Sequence, residues 1–212
     1  MDFFITTEFL KYFVALLAIV NPIGIVPIFL ALTTNETEKE RKHTAHISAF
    51  SVGMILLIAA FSGDSILRFF GIGLPSFRVG GGILVLLMAI SMLQAKQSRL
   101  RQSPSEAEYA EEKENVAVVP LAIPLMAGPG AISLAIIQGH QAGDLENKLI
   151  LAISIIAVAL VALVSLHMAK PIGKALGVTG LNIATRIMGL ILASIGIQMI
   201  AAGLVKLLPG LA

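Results

Sequence analysis

The chain alternates between long apolar runs and short polar stretches. Within the runs apolar residues occupy every face of a would-be helix, rather than one stripe at a 3.6-residue spacing. Six runs, at residues 9–33, 45–62, 77–94, 116–138, 149–167 and 184–204, are long enough to cross about 30 Å of hydrocarbon. Two connections are strongly polar, TNETEKERKHT at 34–44 and KQSRLRQSPSEAEYAEEKEN at 96–115. The rest are short. The pattern predicts an all-α, polytopic membrane protein with six transmembrane helices.

Two of the runs carry their own helix breakers. The first contains AIVNPIGIVPIF, with Asn21, Pro22, Gly24 and Pro27 about half-way along it. The fourth contains VVPLAIPLMAGPGAIS, with Pro120, Pro124, Gly128, Pro129 and Gly130, and Ser133 just after. Proline removes a backbone N–H and clashes with the preceding turn, so Pro22 and Pro27 are each expected to free a carbonyl. An unpaired backbone group in hydrocarbon costs several kcal/mol, so the freed groups must face protein or a water-filled cavity. A single proline in a membrane helix usually means only a kink. Two matching sets near mid-membrane point to broken first and fourth helices instead.

The two halves also resemble each other in order. GLPSFRVGGGILV (73–85) parallels GLNIATRIMGLILA (180–193), matching Arg78 with Arg186 and Gly81 with Gly189. DSILRFFG (64–71) parallels KPIGKALG (170–177), and LAIVNPIG parallels PLMAGPGA, all at offsets of 106 to 108 residues. Three spans per half is an odd number, so the second half enters the membrane upside down. This predicts two inverted three-helix repeats, residues 1–95 and 116–212, joined by the polar linker 96–115.

Composition narrows the class. The 212 residues are 57% hydrophobic and 13% charged, and nine of the charged residues fall between Lys96 and Glu114. The net charge of +2 does not suggest nucleic acid, and without cysteine there is no disulfide or thiolate metal site. The four histidines show no metal-ligand spacing. There is no nucleophile elbow, zincin motif or phosphate loop, so enzymatic activity is not expected. Lys and Arg favour one set of loops ten to five, which places the 96–115 linker in the cytoplasm and both termini outside.

A break exposes the free N–H groups of one half-helix and the carbonyls of another. The first can hold a carboxylate and the second an ammonium, so the pair suits a small zwitterionic amino acid. The surrounding Ile, Val, Leu, Met and Ala leave room only for a small apolar side chain. Candidate substrate-binding residues are Asn21, Pro22, Gly24, Pro27, Gly128, Pro129, Gly130 and Ser133. Asp64, Arg78 and Arg186 are candidate gate or coupling residues, with helix-end snorkelling as the simpler account. Asp64 and Arg78 are expected at the same outer boundary, where they could pair. Gly80, Gly81, Gly82, Gly189 and Gly196 are read as helix-packing glycines.

NPIGIVPIF, VPLAIPLMAGPGAIS, SFRVGGGILV, TRIMGLIL and the GDSIL at 63–67 together resemble the MarC family of bacterial and archaeal inner-membrane proteins. The resemblance covers nearly the whole chain, with the linker matched least. It implies six spans, kinship with the lysine-exporter superfamily, and small neutral amino acid transport of the glycine and alanine kind through the broken helices. The expected function is therefore secondary transport by alternating access. It would be coupled to H+ or Na+, with no other cofactor and with the lipid bilayer as its surroundings. Export of another small metabolite is the alternative. A non-transporting membrane scaffold and an intramembrane enzyme are weaker ones.

Overall fold

A computed structural model describes residues 2–94, 121–122, 125–208 and 210. The predicted linker, Pro120 and Pro124 lie outside the described residues. Among the described residues the chain is all-helical. The helices are α1 (Asp2–Val20), α2 (Val26–Leu32), α3 (Glu38–Phe69), α4 (Leu74–Leu93), α5 (Pro129–Gln141), α6 (Leu145–His167) and α7 (Ala169–Leu207). Four stretches are long and apolar enough to cross a membrane: α3, α4, α6 and the Asn182–Leu207 part of α7. They contain the second, third, fifth and sixth predicted spans. The first and fourth are not continuous helices.

The polar stretch at 34–44 is mostly not a loop. Thr37 and Glu40 form a reciprocal capping box, each side chain bonding the other's backbone N–H, and α3 starts at Glu38. The Arg41 guanidinium reaches back to the carbonyls of Thr33 (2.9 Å) and Glu36 (3.3 Å), so the end of α2 is capped by a side chain of α3. At 32 residues α3 is about 48 Å long and extends past the apolar stretch 45–62. Thr37→Ala is expected to lower stability by about 1 kcal/mol, with Thr37→Asp retaining most of it. Thermal unfolding in detergent measures both.

The stretch preceding the sixth predicted span is also helical. α7 runs from Ala169 and bends at Gly177, whose φ of 59° is left-handed. Gly71, the residue that sequence matching pairs with Gly177, has φ 67° and ends the α3 segment. A left-handed φ is accessible to glycine at little cost, so both positions are joints by residue type.

Packing joins one half of the chain to the other. α3 packs on α5 and α6, α1 on α6, α2 on α7, and α4 on α5 and α7. α4 and α7 lie antiparallel and approach through glycine. A Cβ on Gly82 would stand 2.8 Å from the Gly196 carbonyl oxygen, and one on Gly203 2.8 Å from the Pro75 carbonyl. Gly189 faces the Ala89 carbonyl at 3.2 Å. Gly82, Gly189 and Gly196 are thus packing glycines, whereas Gly80 has open space around it. The core closes on α5, where every residue from Ala131 to Gln138 except Ile132 is buried.

Candidate functional site

The first break is made by Asn21. It takes a left-handed φ of 47°, a conformation asparagine tolerates better than most residues. Its own N–H still donates to the Leu17 carbonyl at 2.9 Å, the last bond of α1. Pro22, buried beside it, cannot donate and ends the ladder. The Asn21 side-chain oxygen then accepts the Gly24 N–H at 3.2 Å, closing a local turn. Any Cβ on Gly24 would displace that Asn21 amide and disturb the turn it closes.

Pro27 does not free a carbonyl inside a helix. It lies in the first turn of α2, where an N–H would have no intrahelical partner, and its side chain is exposed. Pro129 is the matching case at the start of α5, also exposed. The breaks are therefore made by Asn21–Pro22 and by the residues just before Gly128. There the chain leaves a wide turn in which the Ala127 N–H reaches the Ala122 carbonyl at 2.8 Å. Gly128 is extended and caps α5 without a side chain.

The two breaks lie close together. A Cβ on Gly130 would stand 3.8 Å from Ile19, two residues before Asn21, and 2.9 Å from Val85 of α4. Ser133, one turn on, is 4% exposed, and its hydroxyl oxygen lies 2.8 Å from where a Cβ on Gly81 would be. The start of α5 is thus wedged between the end of α1 and the glycine face of α4. Its first N–H groups have no intrahelical acceptor and carry the positive end of the helix dipole.

Asn21 is 3% exposed, and its Nδ2 has no hydrogen-bond partner. Residues 13–35 and 116–139 contain no Asp, Glu, Lys, Arg or His. The site is formally neutral and built from backbone dipoles, an orphaned amide and one hydroxyl. Among the described residues no three metal-ligating side chains cluster. Gln138, further along α5, is buried with its Oε1 unpartnered.

The charged candidates are placed differently. Asp64 does not pair with Arg78. Its carboxylate accepts from Arg68 Nε at 2.9 Å, one turn away on α3, and from His140 Nδ1 at 2.7 Å, on the last turn of α5. The Asp64–Arg68 spacing of four residues makes the intrahelical pair the near one. Arg78 is half-buried and Arg186 exposed, and neither forms an ion pair among the described residues. His140 and Arg68 were not among the sequence candidates. The i,i+4 spacing could have flagged Arg68, but His140 lies 76 residues from Asp64 and left no local signal.

Long apolar helices, two interrupted helices packed together and an uncharged, partly unsatisfied interior define an integral membrane protein with a built break at its centre. The chain belongs to the MarC family: the profile described as MarC family integral membrane protein matches residues 6–208. The UPF0056 membrane protein YhcE of Escherichia coli (strain K12) is 41% identical over 209 residues, 99% of this chain and 97% of that protein. The UPF0056 membrane protein YvbG of Bacillus subtilis (strain 168) is 39% identical over 93% of this chain and 94% of its own length. A UPF0056 membrane protein of Aquifex aeolicus (strain VF5) is 36% identical over 94% of each chain. No solved structure matches.

Proposed function

We propose that this chain is a secondary transporter of small neutral amino acids, glycine- or alanine-sized, working by alternating access. The observation that carries the reading is the orphaned, buried Asn21 amide close to the uncapped start of α5, in an interior without formal charge. An isolated ion is expensive in such a place. A zwitterion brings no net charge, its carboxylate meeting the α5 N–H groups and its ammonium the carbonyls freed at the end of α1. Val85, Met88 and Ile19 around Gly130 give the region apolar walls, which suit a small apolar ligand side chain.

The packing supports two inverted three-helix repeats, the broken runs completing six spans. Exchanging the halves turns α3 on α5 into α6 on α2, and α4 on α5 into α7 on α2. It returns α4 on α7 to itself, and each of these contacts is present. Such halves can rock about a shared site and open each side in turn. Gly71 and Gly177, matched in sequence and both left-handed, are fitting joints for that motion. The Lys and Arg bias orients the 33–37 connection toward the cytoplasm of a bacterial or archaeal inner membrane, with both termini outside. A proton or sodium gradient would drive uphill movement.

Purified protein in liposomes should take up glycine and alanine, faster with a pH or a sodium gradient than with neither. Absence of uptake by protein that remains monodisperse sinks the reading. Competition by unlabelled solutes separates amino acids from another small metabolite.

A further inference from the structure

α5 is a short rod with a joint at each end. It has 13 residues, about 20 Å, and begins after the extended Gly128. Beyond its last turn Gly143 takes a left-handed φ of 57°. Between these joints it is held against α3 by close backbone approach: a Cβ on Gly139 would strike the Ala60 carbonyl, and one on Gly63 would strike Ile136. One polar contact reinforces the pairing, the His140 Nδ1–H donating to Asp64, whose other oxygen is held by Arg68. Two of these three groups come from α3 and one from α5.

The repeat-related position is chemically different. Sequence matching puts Lys170 where Asp64 stands and Lys174 where Arg68 stands. The acid–base pair of α3 becomes two like charges four residues apart, which repel weakly. The helix packed there is α2, reached through Leu30 against Gly173, and its last turn and C-cap, FLALT at 29–33, carry no acid. Among the described residues Lys170 forms no ion pair.

We infer that the Asp64–His140 contact, braced by Arg68, is a clasp that holds α5 against α3 and closes the Asn21–Gly130 region toward the end of the bundle bearing the α3–α4 turn. The opposite end is held by different chemistry, the Arg41 guanidinium of α3 on the Thr33 hydroxyl and carbonyl at the end of α2, which the Asp64–His140 pair does not touch. The inference rests on the alternating-access reading but specifies something that reading does not, namely which residues hold the end bearing the α3–α4 turn. His140 acts here as a positioning residue, and the clasp must break each time the held end opens.

The chain has no cysteine, so a single introduced thiol reports access cleanly. Ser133→Cys places one on α5 beside the breaks, and Leu145→Cys, exposed at the clasped end, identifies that membrane face. Labelling by an impermeant maleimide is followed from each face in oriented vesicles. In the otherwise native chain, Ser133→Cys should react slowly from the clasped face. Adding His140→Gln or Asp64→Asn should speed that reaction about three- to tenfold, the range for a half-exposed charge-assisted contact. Reaction from the other face should be unchanged or slower. The exchanged pair Asp64→His with His140→Asp should restore slow labelling, which a general loss of folding would not. Unchanged rates in both single variants, or equal acceleration from both faces, overturns the clasp. No substrate is needed, so the clasp can stand even where glycine and alanine uptake fails, and can fall where uptake succeeds.

Discussion

Gly139→Leu should leave little or no folded protein, and Gly139→Ala should cost about 1–3 kcal/mol. The obstacle is the reason. A Cβ at Gly139 would run into the carbonyl of Ala60, which is helix backbone and cannot rotate away. Relief would require α3 and α5 to separate along the seam where the core closes, opening gaps around buried Ile136 and Ala135. Gly63→Ala, on the same seam, meets the Ile136 side chain rather than backbone and should cost less than Gly139→Ala. Gly80 supplies the opposite control. Nothing lies within 4 Å of its Cβ position, so Gly80→Ala should be neutral or gain about 0.5–1 kcal/mol from helix propensity. Thermal unfolding in detergent ranks the four variants. A Gly139→Leu protein as stable as the native chain would show that the α3–α5 seam is not close-packed.

The fold was legible wherever a residue's effect is local. Prolines and glycines marked both interruptions, and unbroken apolar runs marked α3, α4 and α6. What went astray was the direction of a proline's effect. Pro27 and Pro129 can start a helix as readily as stop one, and only the position of the preceding break decides which. Asn21 makes the first break because its amide can replace a helical hydrogen bond while its backbone turns left-handed. The start of α3 was written in Thr37 and Glu40 but hidden among charges that resemble a loop. Gly177 was recoverable only through its match to Gly71, since a glycine in a helix has no local mark of its φ. His140 was not recoverable at all. Its partner Asp64 stands on another helix, and the sequence offered Arg78 as the partner instead.

Of the candidate site, Asn21, Pro22, Gly128, Gly130 and Ser133 are brought into one buried region, while Pro27 and Pro129 face outward. The glycines do spatial work that residue type alone suggested. Gly24 makes room for an amide, Gly130 for Val85, and Gly81 for Ser133. The charged candidates went elsewhere. Asp64 is spent on a contact between helices, and the two arginines matched by the repeat, Arg78 and Arg186, share neither burial nor partner.

Asn21→Gly should fold and hold its substrate about tenfold to hundredfold more weakly. Asn21 has two jobs, and a series of substitutions separates them. It makes the turn, through φ 47° and the bond from Gly24, and it presents an unpartnered Nδ2 in the interior. Alanine removes both and adds about 1–2 kcal/mol of left-handed strain, so Asn21→Ala mixes lost stability with lost binding. Glycine accepts the backbone angle without strain and deletes only the amide. Aspartate keeps the acceptor for Gly24 but replaces the donor with an oxygen, bringing a charge or a proton into a neutral region. A buried donor left unsatisfied costs about 1–3 kcal/mol, which a ligand that accepts from it would return. Loss of that interaction corresponds to about a tenfold to hundredfold weaker half-saturation for glycine or alanine in the liposome assay. Asn21→Gly should therefore keep most of the thermal stability while its half-saturation rises by that factor, and Asn21→Asp should lose both. If Asn21→Gly transports with native half-saturation, the amide serves the turn alone and the ligand is held by backbone at α5. The binding role assigned to Asn21 would then be wrong even though the break it makes is real.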